Sequence, residues 1–173
     1  NRTVEGAEGS YIKGAKVVGG VIADIQTNHG LKVNYSNFSA SGVAIEGTNM
    51  VGGISGILSL QTLNGATVKN VKLTSGDGRV GVVAGCFGGT CTLTDVVYEN
   101  VDGATAIIGP TYKENKAVEA RIGDTYYSTL QDALAGEGDE VVRLAPVTIA
   151  AGEEVVLDLK GKTVSQTVAC TGN

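Results

Sequence analysis

Two cysteines in the run Gly85-Cys86-Phe87-Gly88-Gly89-Thr90-Cys91 are the residues whose type and spacing first suggest chemistry. They could close a disulfide around the Gly88-Gly89 turn if their Cα atoms lie within about 7 Å. Alternatively both are small buried hydrophobes, a common fate of free cysteine. Cys-x4-Cys beside a single histidine, His29, is a poor zinc set, because structural zinc wants four ligands at tight spacings. No metal is expected.

Acid–base chemistry would need carboxylates and a basic group gathered on one face. The candidates are Asp139, Glu140, Glu153, Glu154 and Asp158 with Arg143 and Lys160. Their simpler reading is a solvated outer face with a salt bridge or two. His29 lies in Thr27-Asn28-His29-Gly30 and has no Cys, Ser or Asp at a diagnostic spacing, so a loop residue is expected. Neither Gly19-Gly20 nor Gly52-Gly53-Ile54-Ser55-Gly56 is followed by the Lys-Ser/Thr of a phosphate loop, and no G-x-G-x-x-G opens a helix. A single Thr90-Cys91-Thr92 is not the threonine array that ice binding would use. No catalytic residue and no cofactor are therefore expected. Sequons at Asn1, Asn34 and Asn37 would be glycosylation acceptors only in a eukaryotic secretory pathway, and such triplets also arise by chance in an Asn-, Ser- and Thr-rich chain.

The elements around these residues repeat. Val17-Val18-Gly19-Gly20-Val21-Ile22-Ala23, Met50-Val51-Gly52-Gly53-Ile54-Ser55-Gly56 and Arg79-Val80-Gly81-Val82-Val83-Ala84-Gly85 are versions of one unit. Gly20 and Gly53 are 33 residues apart, and the next spacing is about 29, so insertions fall in loops. Ala106-Ile107-Ile108-Gly109 reads as a degenerate fourth copy, and the first 16 residues as the tail of an earlier unit or its first strand. Between copies run alternating segments, among them Leu31–Tyr35, Ala66–Thr74 and Thr92–Val101, with the period of half-buried strands. Glycine inside a strand costs roughly 0.5–1 kcal/mol relative to alanine. Its recurrence at Gly19, Gly20, Gly52, Gly53, Gly56, Gly81 and Gly85 therefore predicts corners and close backbone approaches. Asn34, Asn37, Asn70 and Asn100 suit corners too, since Asn tolerates left-handed geometry and stacks in ladders, although ordinary polar loop positions would also explain them.

Composition agrees with a thin, aliphatic fold. The chain has 26 Gly in 173 residues, about twice the usual share, with no Trp and only 5% aromatics. A net charge of -5 from scattered residues leaves no footprint for nucleic acid or an anionic membrane. No apolar run is long enough to span a bilayer as a helix, so membrane insertion is not expected. The chain opens at Asn1 without Met or a basic-then-apolar leader, which reads as a mature form or a fragment.

A polar stretch after Pro110 marks a boundary, with Gly-rich repeats over 1–115 and a differently patterned segment over 116–173. Ser128 with Gln131 predicts a capping box, Tyr127, Leu130 and Leu134 share a helical face, and Gly136 stops the element: one short helix near 128–135. Strands are expected at 140–144, 147–149 and 154–159, with Val142 and Leu144 on the inward face.

The stretch Ile122-Gly-Asp-Thr-Tyr-Tyr-Ser-Thr-Leu-Gln-Asp-Ala-Leu, continuing through Gly138-Asp139-Glu140-Val141-Val142-Arg143-Leu144 to Val156-Leu157-Asp158-Leu159-Lys160-Gly161-Lys162-Thr163-Val164, resembles the helix-capped opening of right-handed parallel β-helix domains in bacterial surface proteins, and more distantly pectate-lyase-like proteins. The Val-Gly-Gly copies resemble the Gly-Leu/Val-Gly repeats of adhesin-like surface proteins. The resemblance implies an all-β, right-handed parallel β-helix with a capping helix, outside the cell or on its surface, serving as a non-catalytic stalk, adhesin module or filament subunit. Implied partners are further copies of the chain through coil edges, or surface glycans or proteins. A carbohydrate-binding or polysaccharide-degrading domain without its catalytic coils is the competing expectation. Exposed Tyr98, Tyr112, Tyr126 or Tyr127 along an open groove would favour it. Only about 35 residues follow from Asp139, so the second segment is expected to continue further, dock onto the first or stack between molecules.

Overall fold

The computed structural model describes residues 1–26, 34–145 and 159–165. More than half of the described residues are in β-strands, and the strands recur in a fixed cycle. The first turn of the cycle comprises β1 (Arg2–Glu5), β2 (Tyr11–Lys13), β3 (Val17–Gly19) and β4 (Ile22–Ile25). β5 (Asn34–Ser41), β6 (Ala44–Gly47), β7 (Met50–Gly52) and β8 (Ser55–Ser59) form the second, and β9 (Thr62–Ser75), β10 (Val80–Gly81) and β11 (Ala84–Gly88) the third. β12 (Thr90–Asp102) opens a fourth.

Equivalent strands pair in parallel, each with its counterpart one repeat away. They build three sheets: β1-β5-β9-β12 with β2-β6 alongside, β3-β7-β10, and β4-β8-β11. Register follows the glycines: Gly19 lies opposite Gly52, and Gly52 opposite Gly81. The fourth copy is present as single bridges, Ala84 to Ile108 and Phe87 to Thr111. Parallel pairing of this kind stacks like on like. Val4, Ala40, Val68 and Tyr98 form one column, Ile12, Ile45 and Leu73 a second, and Ile25, Leu58 and Phe87 a third. Each fully buried Leu, Ile, Val or Phe contributes about 1.5–3 kcal/mol. Exposed ion pairs such as Lys13–Glu46 and Lys69–Glu99 contribute about 1 kcal/mol at most. The columns therefore carry the stability.

The glycines act through sterics. A Cβ on Gly52 would strike the Ser55 carbonyl oxygen and lie 2.7 Å from Gly85 N and 2.8 Å from Ala84 Cα. On Gly19 it would lie 2.6 Å from Ile54 O, and on Gly81 2.5 Å from Gly109 N. These positions turn the chain from the second sheet into the third, where only backbone fits. Gly56 and Gly85 sit where those two sheets touch through their other faces, against Val18 N and the Val51 backbone. Met50, Ile57 and Cys86 form a small separate cluster there. Gly20 and Gly53 point inward, at Ile45 and Val68.

Left-handed residues make the bends of the first sheet, and they stack as well. Asn37, Gly65 and Asp95 occupy one such column, with φ of 54°, 78° and 52°. Gly42, Asn70 and Asn100 occupy the next, at 64°, 52° and 52°. Asn100 Nδ2 donates to Asn70 Oδ1 at 3.0 Å, and Asn37 Nδ2 to Asn1 Oδ1 at 3.1 Å, so the amides form rungs of a ladder. Asn34 begins β5 and takes no left-handed conformation.

Past residue 112 antiparallel pairing enters. β13 (Ala120–Ile122) and β14 (Thr125–Tyr127) form a hairpin about Gly123, and β14 runs antiparallel to β12 through Thr90–Thr92. β15 (Glu140–Arg143) lies antiparallel to β13 and parallel to β16 (Thr163–Ser165). The segment thus continues the first sheet without a break, while its apolar cluster of Ala120, Leu130, Ala133, Leu134 and Val141 is its own.

Two local expectations need correction here. Helix α1 runs Leu130–Ala135 and its cap is Thr129, whose hydroxyl accepts from Asp132 N at 3.0 Å. Ser128 instead donates to Gly89 O at 3.0 Å, tying the helix start to the repeat stack. In β15 the inward residues are Val141 and Arg143, while Leu144 is exposed, the reverse of the expected face. Pairing of Ala120 with Arg143 sets this parity, and a one-residue slip exchanges every side chain between faces. The strands expected at 147–149 and over most of 154–159 lie outside the described residues.

Candidate functional site

The expected chemistry does not assemble. Cys86 and Cys91 are both free and buried, and no disulfide joins them. The reason is direction: Cys86 packs with Met50 and Ile57 between two sheets, whereas Cys91 belongs to the main core. Burial pushes both thiols above their ordinary value. Glu140 is exposed on β15 and Arg143 buried on the same strand, with Asp139 exposed just before it and Lys160 exposed in a turn. His29, Glu153, Glu154, Asp158 and Cys170 lie outside the described residues. Among the described residues no group of His, Cys, Asp and Glu is placed to hold a metal ion. Asn1, Asn34 and Asn37 are exposed, and the Asn1 and Asn37 amides are engaged with each other.

One polar cluster had no forerunner in the motifs. Asp77, in the turn between β9 and β10, accepts from Arg79 Nε at 2.6 Å, Asn49 Nδ2 at 2.9 Å, Ser75 Oγ at 2.9 Å and Arg79 N at 3.0 Å. Burial opposes its ionisation, but these bonds, Arg79 first, outweigh it and hold the carboxyl well below the usual range. Both carboxylate oxygens are engaged from its own loop by Ser75 and Arg79, and Oδ2 also by Asn49 of the preceding turn, so the cluster is a clip joining successive turns. The Ser75-Gly76-Asp77-Gly78-Arg79 turn was the only sequence signal for it.

Two grooves offer a surface for binding. The first, about 520 Å³, runs between the third sheet and the start of α1, with Leu60 and Phe87 on its floor and Tyr112, Lys113, Glu119 and Thr129 on its walls. Leu60 is exposed and left-handed at φ 56°, a strained conformation for a bulky side chain, and so belongs to the places where strain and binding tend to coincide. Glu119 is committed to the helix, accepting from Leu130 N at 2.7 Å, and Lys116 pairs with Glu114 at 2.8 Å.

The second groove, about 500 Å³, lies at the end of the repeat stack and is lined by Val80, Tyr98, Ile107, Val118, Tyr126 and Leu144, among others. It follows from an incomplete rung. Ala40 and Val68 are fully buried, yet Tyr98, next in their column, is 51% exposed. β12 pairs with β9 along its length, but among the described residues its other edge pairs with β14 alone, at Thr90–Thr92. Among the described residues the outer edge over Val96–Asp102 has no strand partner. Burial pushes the Tyr126 phenol up, with the Arg121 charge opposing.

No protein-family model, no curated protein and no solved structure matches this chain.

Proposed function

We propose that the chain is a right-handed parallel β-helix scaffold: a non-catalytic structural or adhesive module of an extracellular or surface protein or filament. The observation that supports it is the in-register parallel pairing of equivalent strands in three sheets, with glycine, asparagine and aliphatic columns running through successive repeats. Right-handedness is expected because parallel crossover connections take that hand almost without exception. Such a stack is stable repeat by repeat and displays its loops along one side. Placement outside the cell, and surface glycans, proteins or further copies as partners, rest on the sequence resemblance. The test combines electron microscopy of concentrated protein with assays on a panel of acidic and neutral polysaccharides. Elongated particles without turnover are expected. Cleavage of any polysaccharide that survives repurification of the protein would overturn the reading.

Carbohydrate binding is a second reading, supported by Tyr112 in one groove and by Tyr98 and Tyr126 in the other. Exposed tyrosine rings can stack on sugar faces at little entropic cost. A glycan array would support it by showing binding that Tyr112→Ala or Tyr98→Ala weakens at least tenfold. Binding unaffected by either substitution would remove these grooves from consideration.

A further inference from the structure

We propose that the free edge of β12 over Val96–Asp102 is a docking site for one extended strand of a partner protein, added in parallel as the next rung, and that the partner carries basic residues at outward positions three apart. This rests on the stacked-repeat reading above and specifies the partner.

The edge lacks three things at once. It lacks a hydrogen-bonding strand: among the described residues its only second-side pairing stops at Thr92, with one further bond from Leu93 N to Asp124 O. It lacks apolar cover: Val96, Tyr98 and Val101 stand in columns whose previous members Ala66, Val68 and Val71 are at most 2% exposed, yet all three are partly or largely exposed. It lacks positive charge: Asp95, Glu99 and Asp102 are exposed along it, and of these only Glu99 has an ion-pair partner among the described residues, Lys69 at 3.3 Å. An unpaired edge with vacant inward positions is the setting in which main-chain hydrogen bonds supply affinity and alternate side chains supply specificity.

The partner's pattern can be read from the rung already in place. Opposite Asp95 stands Gly65, opposite Val96 Ala66, opposite Tyr98 Val68, opposite Glu99 Lys69, opposite Val101 Val71 and opposite Asp102 Lys72. A strand that complements the free edge therefore has Gly or Asn at the two left-handed bends, small apolar residues at inward positions, and Lys or Arg facing Glu99 and Asp102. The chain's own segments after β15 and β16 do not fit. Residues 146–158 and 166–173 contain no Lys or Arg, and the former bring Glu153, Glu154 and Asp158. A second copy approaching through β1 would set Glu5 against Glu99 in the same register. Like charges directly opposite disfavour it.

The probe is a synthetic peptide with the sequence of residues 65–75, titrated into isotopically labelled full chain and followed by NMR and by amide hydrogen exchange. Saturable binding is expected, with shifts and new protection confined to Val96–Asp102 and the groove around Ile107 and Leu144. Replacing both peptide lysines by Glu, or making Glu99→Gln with Asp102→Asn in the protein, should weaken binding about fivefold at low salt. That is what two exposed charge pairs provide. Tyr98→Asp should abolish it. Equal binding of the charge-reversed or a scrambled peptide, or none at millimolar concentration, overturns the proposal. So does protection, before peptide is added, of those Val96–Asp102 amides that face away from β9, which would mean the chain covers its own edge. Self-association abolished by the Glu99/Asp102 double variant would assign the edge to a second copy and overturn it as well. Failure of the stacked-repeat reading would show differently, as rapid exchange of amides throughout Thr62–Ser75.

Discussion

Gly52→Ala isolates the corner that every repeat shares. The added Cβ would meet three backbone groups together, the Ser55 carbonyl oxygen, Gly85 N at 2.7 Å and Ala84 Cα at 2.8 Å, none of which can rotate away. Real Cβ atoms do not approach closer than 3.0 Å, so β7 must move against both β8 and β11. Overpacking of this kind costs about 1–3 kcal/mol, and crowding by backbone on two sides places Gly52 toward the upper end. Because Gly52 has no left-handed φ, alanine also stabilises by restricting the unfolded chain, by about 0.4–1 kcal/mol. The net loss is about 2 kcal/mol, or roughly 4–8 °C in Tm for a chain of this size. Gly78→Ala is the comparison: nothing lies within 4 Å of its Cβ, and only the φ of 80° penalises it. Thermal and urea unfolding of the three proteins should rank wild type above Gly78→Ala above Gly52→Ala. A Gly52→Ala protein that melts within 1 °C of wild type would refute the steric account of the glycine columns.

Asn70→Ala gives up the Asn100 amide bond and places a Cβ-bearing residue without a local hydrogen bond at φ 52°. A loss of about 1–2 kcal/mol by urea unfolding is expected, with Asn70→Gly losing less because the bend is free for glycine. The Asp77 clip sets an acid dependence. Its folded pKa is depressed, so its stabilisation is fully present above the unfolded value near pH 4 and is lost as pH falls below it. Asp77→Asn should be less stable at pH 7 and show a flatter stability profile between about pH 5 and 2. In a Cys170→Ser background, Cys86 and Cys91 should react with a thiol reagent only at the rate of unfolding, since both are buried with raised pKa. Rapid labelling of the native protein would contradict their placement.

The repeat was legible because parallel stacking imposes identity at equivalent positions. Residues that share a column share a neighbourhood, so the Gly19, Gly52 and Gly81 series and the Asn70 and Asn100 bend announce themselves along the chain, whereas Asn37 shares its column with Gly65 and Asp95 and has no Asn counterpart. The helix stop at Gly136 and the position of α1 were visible for a local reason, a short apolar face between turn residues. Its cap was displaced by one residue because two hydroxyls, Ser128 and Thr129, compete there, and Gly89 of the neighbouring rung takes Ser128. Alternation in β15 could not show which of Val141 and Val142 faces inward, because both are apolar and the partner strand decides. The Cys86–Cys91 question was equally undecidable, since adjacency along the chain says nothing about which sheet face each thiol takes.

By itself, then, the amino-acid sequence determined the period, the all-β class, and some of the residues that turn corners, among them Gly19, Gly52 and Gly81, all properties of a unit and its copies. Only the tertiary structure decided where, among the described residues, the stack is incomplete. Tyr98 has the same apolar, alternating signature as any inward strand residue, yet its exposure depends on whether another strand lies beyond β12. That depends on the path of residues 112–145, which pair antiparallel over Thr90–Thr92 and then turn away. An open edge is a property of the missing neighbour, and no residue of the edge encodes it.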